Sequence, residues 1–448
     1  MTTPFTTISD EKEIVEHLKI MGITKDGENY KLCHYRFSEF IRTKIHLVLQ
    51  GNQKELAIYN YKKGVYEREH INVIISKIIK YALDIYIPLW CPSWEDLIIK
   101  TLLRDINTVV NKFNYGRYIN LINGIFDLET CRLLKHSPNF YTTIQIPIEY
   151  DINAKMRYFP QFIDDITCSD EELKKVIQEM MGYCLTSSVQ AEKAFFFIGN
   201  GCNGKSVLAK TIQLLVGEGN YSNTTLSALG GNFGLASLID SNVNIAAENN
   251  SGKINSETFK ALVSGDTVEV NRKYRDALSL TLHTKLIFLF NELPENSDLS
   301  HGFYRKVQII PFKRTFTGKE IDVNMFEKLK TELSGIFIWS IEGLKRLKEN
   351  NYCFTKCNAC DTALEEYKRE LNPVATFFED CCIVDSNEQI KRSDIYNNYQ
   401  NFCIKNSYDV LQCQKFWRAI KAHWNDKNYT FKIKKIKGYE YFVGFNIR

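Results

Sequence analysis

Several things are missing from this 448-residue chain, and each absence narrows what it can be. No apolar run approaches the roughly 20 residues needed to cross a bilayer, so no membrane span is expected. The opening segment MTTPFTTISDEKEIVEH lacks the apolar stretch of a secretory signal. There is no internal repeat and no low-complexity tract, which argues against a solenoid or a disordered tail. Neither sign of charge dominates: 57 Lys and Arg face 53 Asp and Glu, and a formal charge of +4 does not by itself diagnose a nucleic-acid binder. The thirteen cysteines are scattered and odd in number, which does not suit a disulfide framework. Reduced thiols in an intracellular compartment are the simplest expectation. Cys357 and Cys360 have the spacing of a zinc-ligand pair, but no matching second pair follows, so they read as buried or incidental thiols.

The rest is ordinary for a globular protein, with 44% apolar and 25% charged residues and length enough for two or three domains. Residues 1–110 mix helical periodicity (EKEIVEHLKIMG, INVIISKIIKYALDIY) with short extended pieces. Residues 111–185 turn to short strands around NGIFDLET, with hairpin-turn chemistry at Asn123-Gly124, and end in the helical DEELKKVIQEMMGYCL. Residues 186–350 alternate apolar strands (AFFFIG, NVNIAAE, KLIFLF, KVQIIPF) with helices (SVLAKTIQLLVG, SETFKALVSG), which predicts an α/β fold with a parallel core. A single amphipathic helix is expected over FEKLKTELSGIFIWSIEGLKRLKEN. Residues 365–448 read as helix, helix, helix and two short strands, the order of a small winged-helix-like module. From Cys413 onward nine basic residues face two acidic ones, so this end could offer phosphates a positive surface.

The chemistry concentrates in five places. Gly199-Asn200-Gly201-Cys202-Asn203-Gly204-Lys205-Ser206, between a strand and a helix, is a P-loop. Its glycines let backbone N–H groups turn toward phosphates, Lys205 can reach the β and γ phosphates, and the Ser206 hydroxyl can ligate Mg²⁺. Glu248, at the end of the strand VNIAA, stands where a metal ligand or water-activating base belongs. Asn291 ends the strand KLIFLF, where a neutral amide can sense the γ-phosphate without adding charge. Arg305 and Lys306 precede the strand VQIIPF and compete as the cation that steadies a transferring phosphoryl group in a neighbouring subunit. Between these, Arg272, Lys273 and Arg275 sit at the expected tip of a strand pair, with Tyr274 among them, and could track a nucleic-acid backbone in a pore.

Together and in this order, GNGCNGKS, NIAAE, KALVSGD with VNRKY, FNELP and GFYRKVQIIPF resemble the successive motifs of superfamily 3 helicases, particularly the poxvirus-type and phage-satellite-type primase-helicases. The resemblance covers roughly residues 110–448 and is weak before that. It implies a P-loop ATPase core of AAA+ type assembled as a ring, usually a homo-hexamer, with ATP and Mg²⁺ between subunits. It further implies translocation on single-stranded DNA, typically 3′ to 5′, at a viral, phage or plasmid replication fork. By the same resemblance Lys205 and Ser206 become triphosphate and Mg²⁺ contacts, Glu248 the acidic residue, Asn291 the sensor and Lys273 the DNA-contacting cation. Two departures matter. The family often has paired arginines before the last strand, whereas the second here is Lys306; Arg305 is preferred as the finger because a guanidinium suits bidentate phosphate contact. The acidic motif has one carboxylate, followed by Asn249, so metal coordination falls mostly on Ser206, water and the phosphates. Residues 1–110 contain no convincing acidic metal-binding strand pair, so priming activity is expected to be absent, leaving room for a separate primase or polymerase partner. An origin-melting initiator and an ATP-binding replisome scaffold remain alternatives. A small-molecule kinase would need an arginine-rich lid and an acceptor pocket, and the sequence offers neither.

Overall fold

The computed structural model describes residues 10–448 except 52–54, 69, 105, 107, 111–112, 115, 248–253 and 297; of residues 55, 275 and 426 the backbone alone is described. Among the described residues no helix is long and apolar enough to cross a membrane. The architecture is mixed α/β around a five-stranded parallel sheet.

At the N-terminal end, the helix Ile71–Asp84 buries Ile71, Ile75, Ile79, Ala82 and Leu83, one stripe at helical period. That stripe meets Phe37 and Ile41 of His34–Lys44 and Ile98 and Leu102 of Pro92–Arg104. A small sheet runs beside them in the order Val65–Glu67, Glu55–Asn60, Leu47–Gln50, Val109–Val110. The expected hairpin around Asn123-Gly124 forms, but one residue earlier than its turn chemistry suggests. Leu121 pairs with Gly124, so Ile122 and Asn123 make the turn and the glycine opens the next strand. Gly124 is needed there because a Cβ would run into the Leu134 carbonyl.

The parallel sheet runs in the order Tyr221–Ser222, Val243–Ala247, Lys285–Phe290, Ala194–Ile198, Val307–Pro311. Its strands are near-continuous apolar runs because helices cover both faces, and successive side chains alternate between two cores. Phe195, Phe197, Ile245, Ile287 and Ile310 point into one core, while Ala194, Phe196, Ala246, Phe288 and Ile309 point into the other. In the first core the helices Glu171–Cys184 and Leu333–Glu349 cross at Gly182 and Gly343, where a Cβ on either would strike the other helix's backbone.

Two expectations change. The long amphipathic helix is two helices, Met325–Lys330 and Leu333–Glu349. The break frees the Glu332 carboxylate to accept hydrogen bonds from the backbone N–H groups of Arg157, Tyr158 and Phe159, at 2.7–3.1 Å. It thereby caps the helix Tyr158–Thr167 from outside, meeting donors that the helix itself leaves orphaned. At the C-terminal end, a strand Cys382–Lys391 that periodicity does not announce lies between the helices Pro373–Cys381 and Arg392–Lys405. It pairs with Tyr439–Ile447, which also pairs with Lys432–Ile436. This unit has its own core of Phe377, Tyr399, Phe416, Trp424 and Phe445.

Candidate functional site

The strand Ala194–Ile198 delivers the chain to the loop 199–204, and the helix Lys205–Val216 takes it away. Gly201, Cys202 and Gly204 all have positive φ (+88°, +43° and +86°), which turns the backbone over the helix N-terminus. Such a curl aims N–H groups at one point and suits an anion. At Gly204 glycine is required twice over: its φ is left-handed, and a Cβ would lie 2.5 Å from Ile166 Cγ2. The far side of the loop is closed by the chain after the last strand, where Phe316 N–H donates to the Cys202 carbonyl at 2.7 Å. Gly199 supplies a carbonyl to the site, and Asn200 is exposed at the loop's start.

Lys205 is 5% exposed. Its ammonium donates to the Phe290 carbonyl at 2.7 Å, to Asn291 Oδ1 at 3.2 Å and to the Gly199 carbonyl. Burial pushes its pKa down, since these neutral acceptors do not balance the charge. The fold thus joins Lys205 to Asn291, 86 residues along the chain. Asn203 is buried, accepts from the Lys205 N–H at 3.4 Å, and holds its own Nδ2 without a hydrogen-bond partner among the described residues. Ser206 is exposed in the first turn of the helix. The acidic candidate Glu248 lies outside the described residues. Its neighbour Ala247 pairs in register with Leu289, which pairs with Phe197, so three strand ends share one edge of the sheet. Ligands of open parallel sheets sit at that carboxyl edge.

Arg305 and Lys306 part company. The Arg305 side chain is 55% exposed, 3.3 Å from the Glu192 carboxylate. Lys306 is 3% exposed and points inward, donating to Glu192 Oε2 at 2.8 Å and to the Ser264 hydroxyl. Those two salt bridges hold the Glu192 carboxyl below its ordinary range, the Lys306 hydrogen bond being the larger cause. Neither Glu192 nor Ser264 was legible as part of this cluster, because 114 and 42 residues separate them from Lys306.

The basic tip is a hairpin, Thr267–Arg272 with Arg275–Thr281. Arg272 pairs with Arg275 across a two-residue turn of Lys273 and Tyr274, the latter at φ +59°. Lys273 is exposed, with its ammonium 5.9 Å from the Phe233 ring. Arg272 is partly buried and leans back to the Asp276 carbonyl at 3.4 Å; the Arg275 side chain is not described. Tyr274, expected among the basic residues of the tip, is fully exposed at the apex, an aromatic face presented to solvent.

Residues 96–168 match the family described as D5 N terminal like, residues 369–446 match Poxvirus D5 protein-like, and residues 197–305 match a family of unknown function (DUF5906). The chain is 22% identical over 358 residues to "Putative helicase 121R" of Invertebrate iridescent virus 3, and 23% identical over 386 residues to "Putative helicase 184R" of Invertebrate iridescent virus 6. A third relative, "Putative helicase L207/L206" of Acanthamoeba polyphaga mimivirus, is 22% identical over 369 residues. The chain is thus similar at residues 96–168 and 369–446 to D5-like proteins, and over most of its length to viral proteins named as helicases. The alignments take in 71%, 73% and 74% of this chain but 38%, 39% and 37% of the relatives, so it spans less than two-fifths of their length. Among solved structures, the apo NrS-1 C terminal region has the same overall fold, with TM-scores of 0.52 and 0.53 at 12% and 11% identity. Those matches cover 92% of this chain and 98% and 99% of the other.

Proposed function

We propose that this chain is the ATP-driven motor of a DNA helicase of superfamily 3, working at a viral, phage or plasmid replication fork. The observation that carries the reading is the meeting of Lys205 and Asn291 over a left-handed glycine loop at the carboxyl edge of the parallel sheet. Among the described residues, a buried ammonium held by neutral oxygens fits a site built for an anion, and the Asn203 amide adds a donor to the same loop. The residues therefore fit a nucleoside triphosphate. Numbered along the chain, the strands run 2-3-4-1-5 across the sheet, an order that supports an ATPase core of AAA+ type.

In this reading Lys205 trades its carbonyl partners for the β and γ phosphates, and Asn291 orients the attacking water. Ser206 and Glu248 would hold Mg²⁺, which when bound neutralises charge developing on the phosphates. Arg305, the outward-facing member of its pair, completes the site of a neighbouring copy in a ring, as a guanidinium finger. Lys306, buried in its own subunit, takes no direct part in that contact. The hairpin tip, with Lys273 and Tyr274 outermost, engages single-stranded DNA through phosphate charge and base stacking. The C-terminal unit, whose strand Lys432–Ile436 is exposed throughout and carries Lys432, Lys434 and Lys435, serves as a winged-helix-like second contact to fork DNA.

The test is ATP turnover by the full chain with and without single-stranded DNA. Wild type should be stimulated by DNA, and Lys205→Ala should lose at least about 100-fold in turnover, the scale of removing one oriented transition-state donor, with its circular dichroism unchanged. Turnover indifferent to DNA would contradict the motor, and hydrolysis retained in the variant would contradict the site.

A further inference from the structure

One cluster, at the amino edge of the parallel sheet and so at the opposite end from the proposed nucleotide site, is left unused by that chemistry. Lys306 is a buried ammonium with two partners on different elements: the Glu192 carboxylate and the Ser264 hydroxyl. Buried charges demand such partners, and losing one is costly, so the contacts hold Lys306 in a defined place.

Each partner leads to a functional element. Ser264 ends the helix Ser256–Ser264, and only Gly265 and Asp266 separate it from the hairpin strand Thr267–Arg272. Those two residues give little slack. Gly265 is at φ +72°, with no room for a Cβ beside Val189, and Asp266 N–H donates to the Ala261 carbonyl at 2.9 Å. On the other side, the same Glu192 oxygen that accepts from Lys306 faces the Arg305 guanidinium at 3.3 Å. The next residue, Lys193, donates to the Arg305 carbonyl at 2.6 Å. The backbone and side chain of Arg305 are thus both set by residues 192 and 193, and residue 192 is tied through Lys306 to the root of the hairpin.

We propose that Lys306 is a positioning residue that couples the hairpin to Arg305: a shift of the hairpin root moves Ser264, and Lys306 and Glu192 carry that shift to the guanidinium. The relay makes hydrolysis in the neighbouring site respond to DNA held at the tip. It rests on the motor reading above, and it gives the position where relatives often carry a second arginine a role inside its own subunit.

Ser264 is the position to change, because it is only partly buried and its loss leaves Lys306 paired with Glu192. In the full chain, Ser264→Ala should keep DNA-free turnover and affinity for oligo-dT within about 2-fold of wild type, while stimulation by oligo-dT falls at least about 5-fold through kcat rather than the KM for ATP. Ser264→Thr, which keeps the hydroxyl, should restore stimulation. Full stimulation in Ser264→Ala, or failure of Ser264→Thr to restore it, overturns the relay while leaving the motor standing. A wild-type chain whose turnover ignores oligo-dT overturns the motor reading itself, and the relay with it.

Discussion

Lys205 and Lys285 are buried lysines at opposite ends of the same sheet, and the contrast between them shows what burial is for. Lys205 stands at the carboxyl edge, where an incoming triphosphate would bring negative charge to it. Lys285 starts its strand at the other end, 2% exposed, donating to the carbonyls of His283 at 2.9 Å and Thr186, with its ammonium 5.0 Å from the Tyr183 ring. Burial brings its pKa down to about 7, against 10.5 in the open chain. Between those values the unfolded chain holds a proton that the folded chain lacks, so stability rises with pH across this window; below it both states are protonated and the burial penalty is felt in full. From pH 7 to pH 9 the Lys285 contribution should amount to about 2 to 3 kcal/mol. Lys285→Met should flatten that slope, as read from denaturant midpoints at the two pH values. An unchanged slope in the variant would mean that Lys285 stays charged in the fold. The sequence alone could not separate these roles, since a lysine opening an apolar strand looks the same whether it snorkels outward or is enclosed.

Elements whose signal is local were legible. The parallel strands are uninterrupted apolar runs, and the loop 199–206 lies between one of them and a helix, so both could be read before folding was considered. Arg305 and Lys306 were read together because nothing in the dipeptide says which turns inward; Glu192, far back in the chain, decides it. The helix break at Glu332 was hidden for the same reason, its carboxylate being committed to N–H groups some 175 residues away. The strand Cys382–Lys391 was missed because its middle is exposed and polar, and its pairing shifts register between Val384 and Gln389. The hairpin was read from its charges with Tyr274 among them, and the Tyr274 ring stands fully exposed at its apex. If that ring stacks on bases, Tyr274→Ala should weaken binding of single-stranded DNA by about 1–3 kcal/mol, roughly 5- to 150-fold, measured by fluorescence anisotropy, whereas Tyr274→Trp should not. Equal affinity in the alanine variant would leave the tip to its cations alone.

At the scale of the whole molecule, the parallel sheet and the C-terminal unit meet through the helix Asn358–Leu371. Cys360 of that helix joins one core of the sheet and Tyr367 the other, with the Tyr367 hydroxyl donating to the Pro294 carbonyl at 2.6 Å. A boundary at residue 365 falls inside this helix, so the division between the sheet-bearing part and the C-terminal unit is better drawn near Asn372-Pro373, where the next helix and the next core begin. Pro294 closes the FNELP segment that carries Asn291, so the connecting helix touches the loop whose amide would sense the phosphate. The chain is thereby organised as a proposed nucleotide site at one sheet edge, a basic hairpin two residues beyond a helix of the same core, and a lysine-rich unit beyond the connector. The claim that unites these parts is that hydrolysis at the loop drives separation of DNA strands. Strand separation on a forked DNA duplex tests it most directly. The duplex should come apart with ATP, and should stay paired with a non-hydrolysable analogue or with Lys205→Ala. Equal separation without hydrolysis, or a duplex left intact while the wild-type chain turns over ATP on the same DNA, would contradict it.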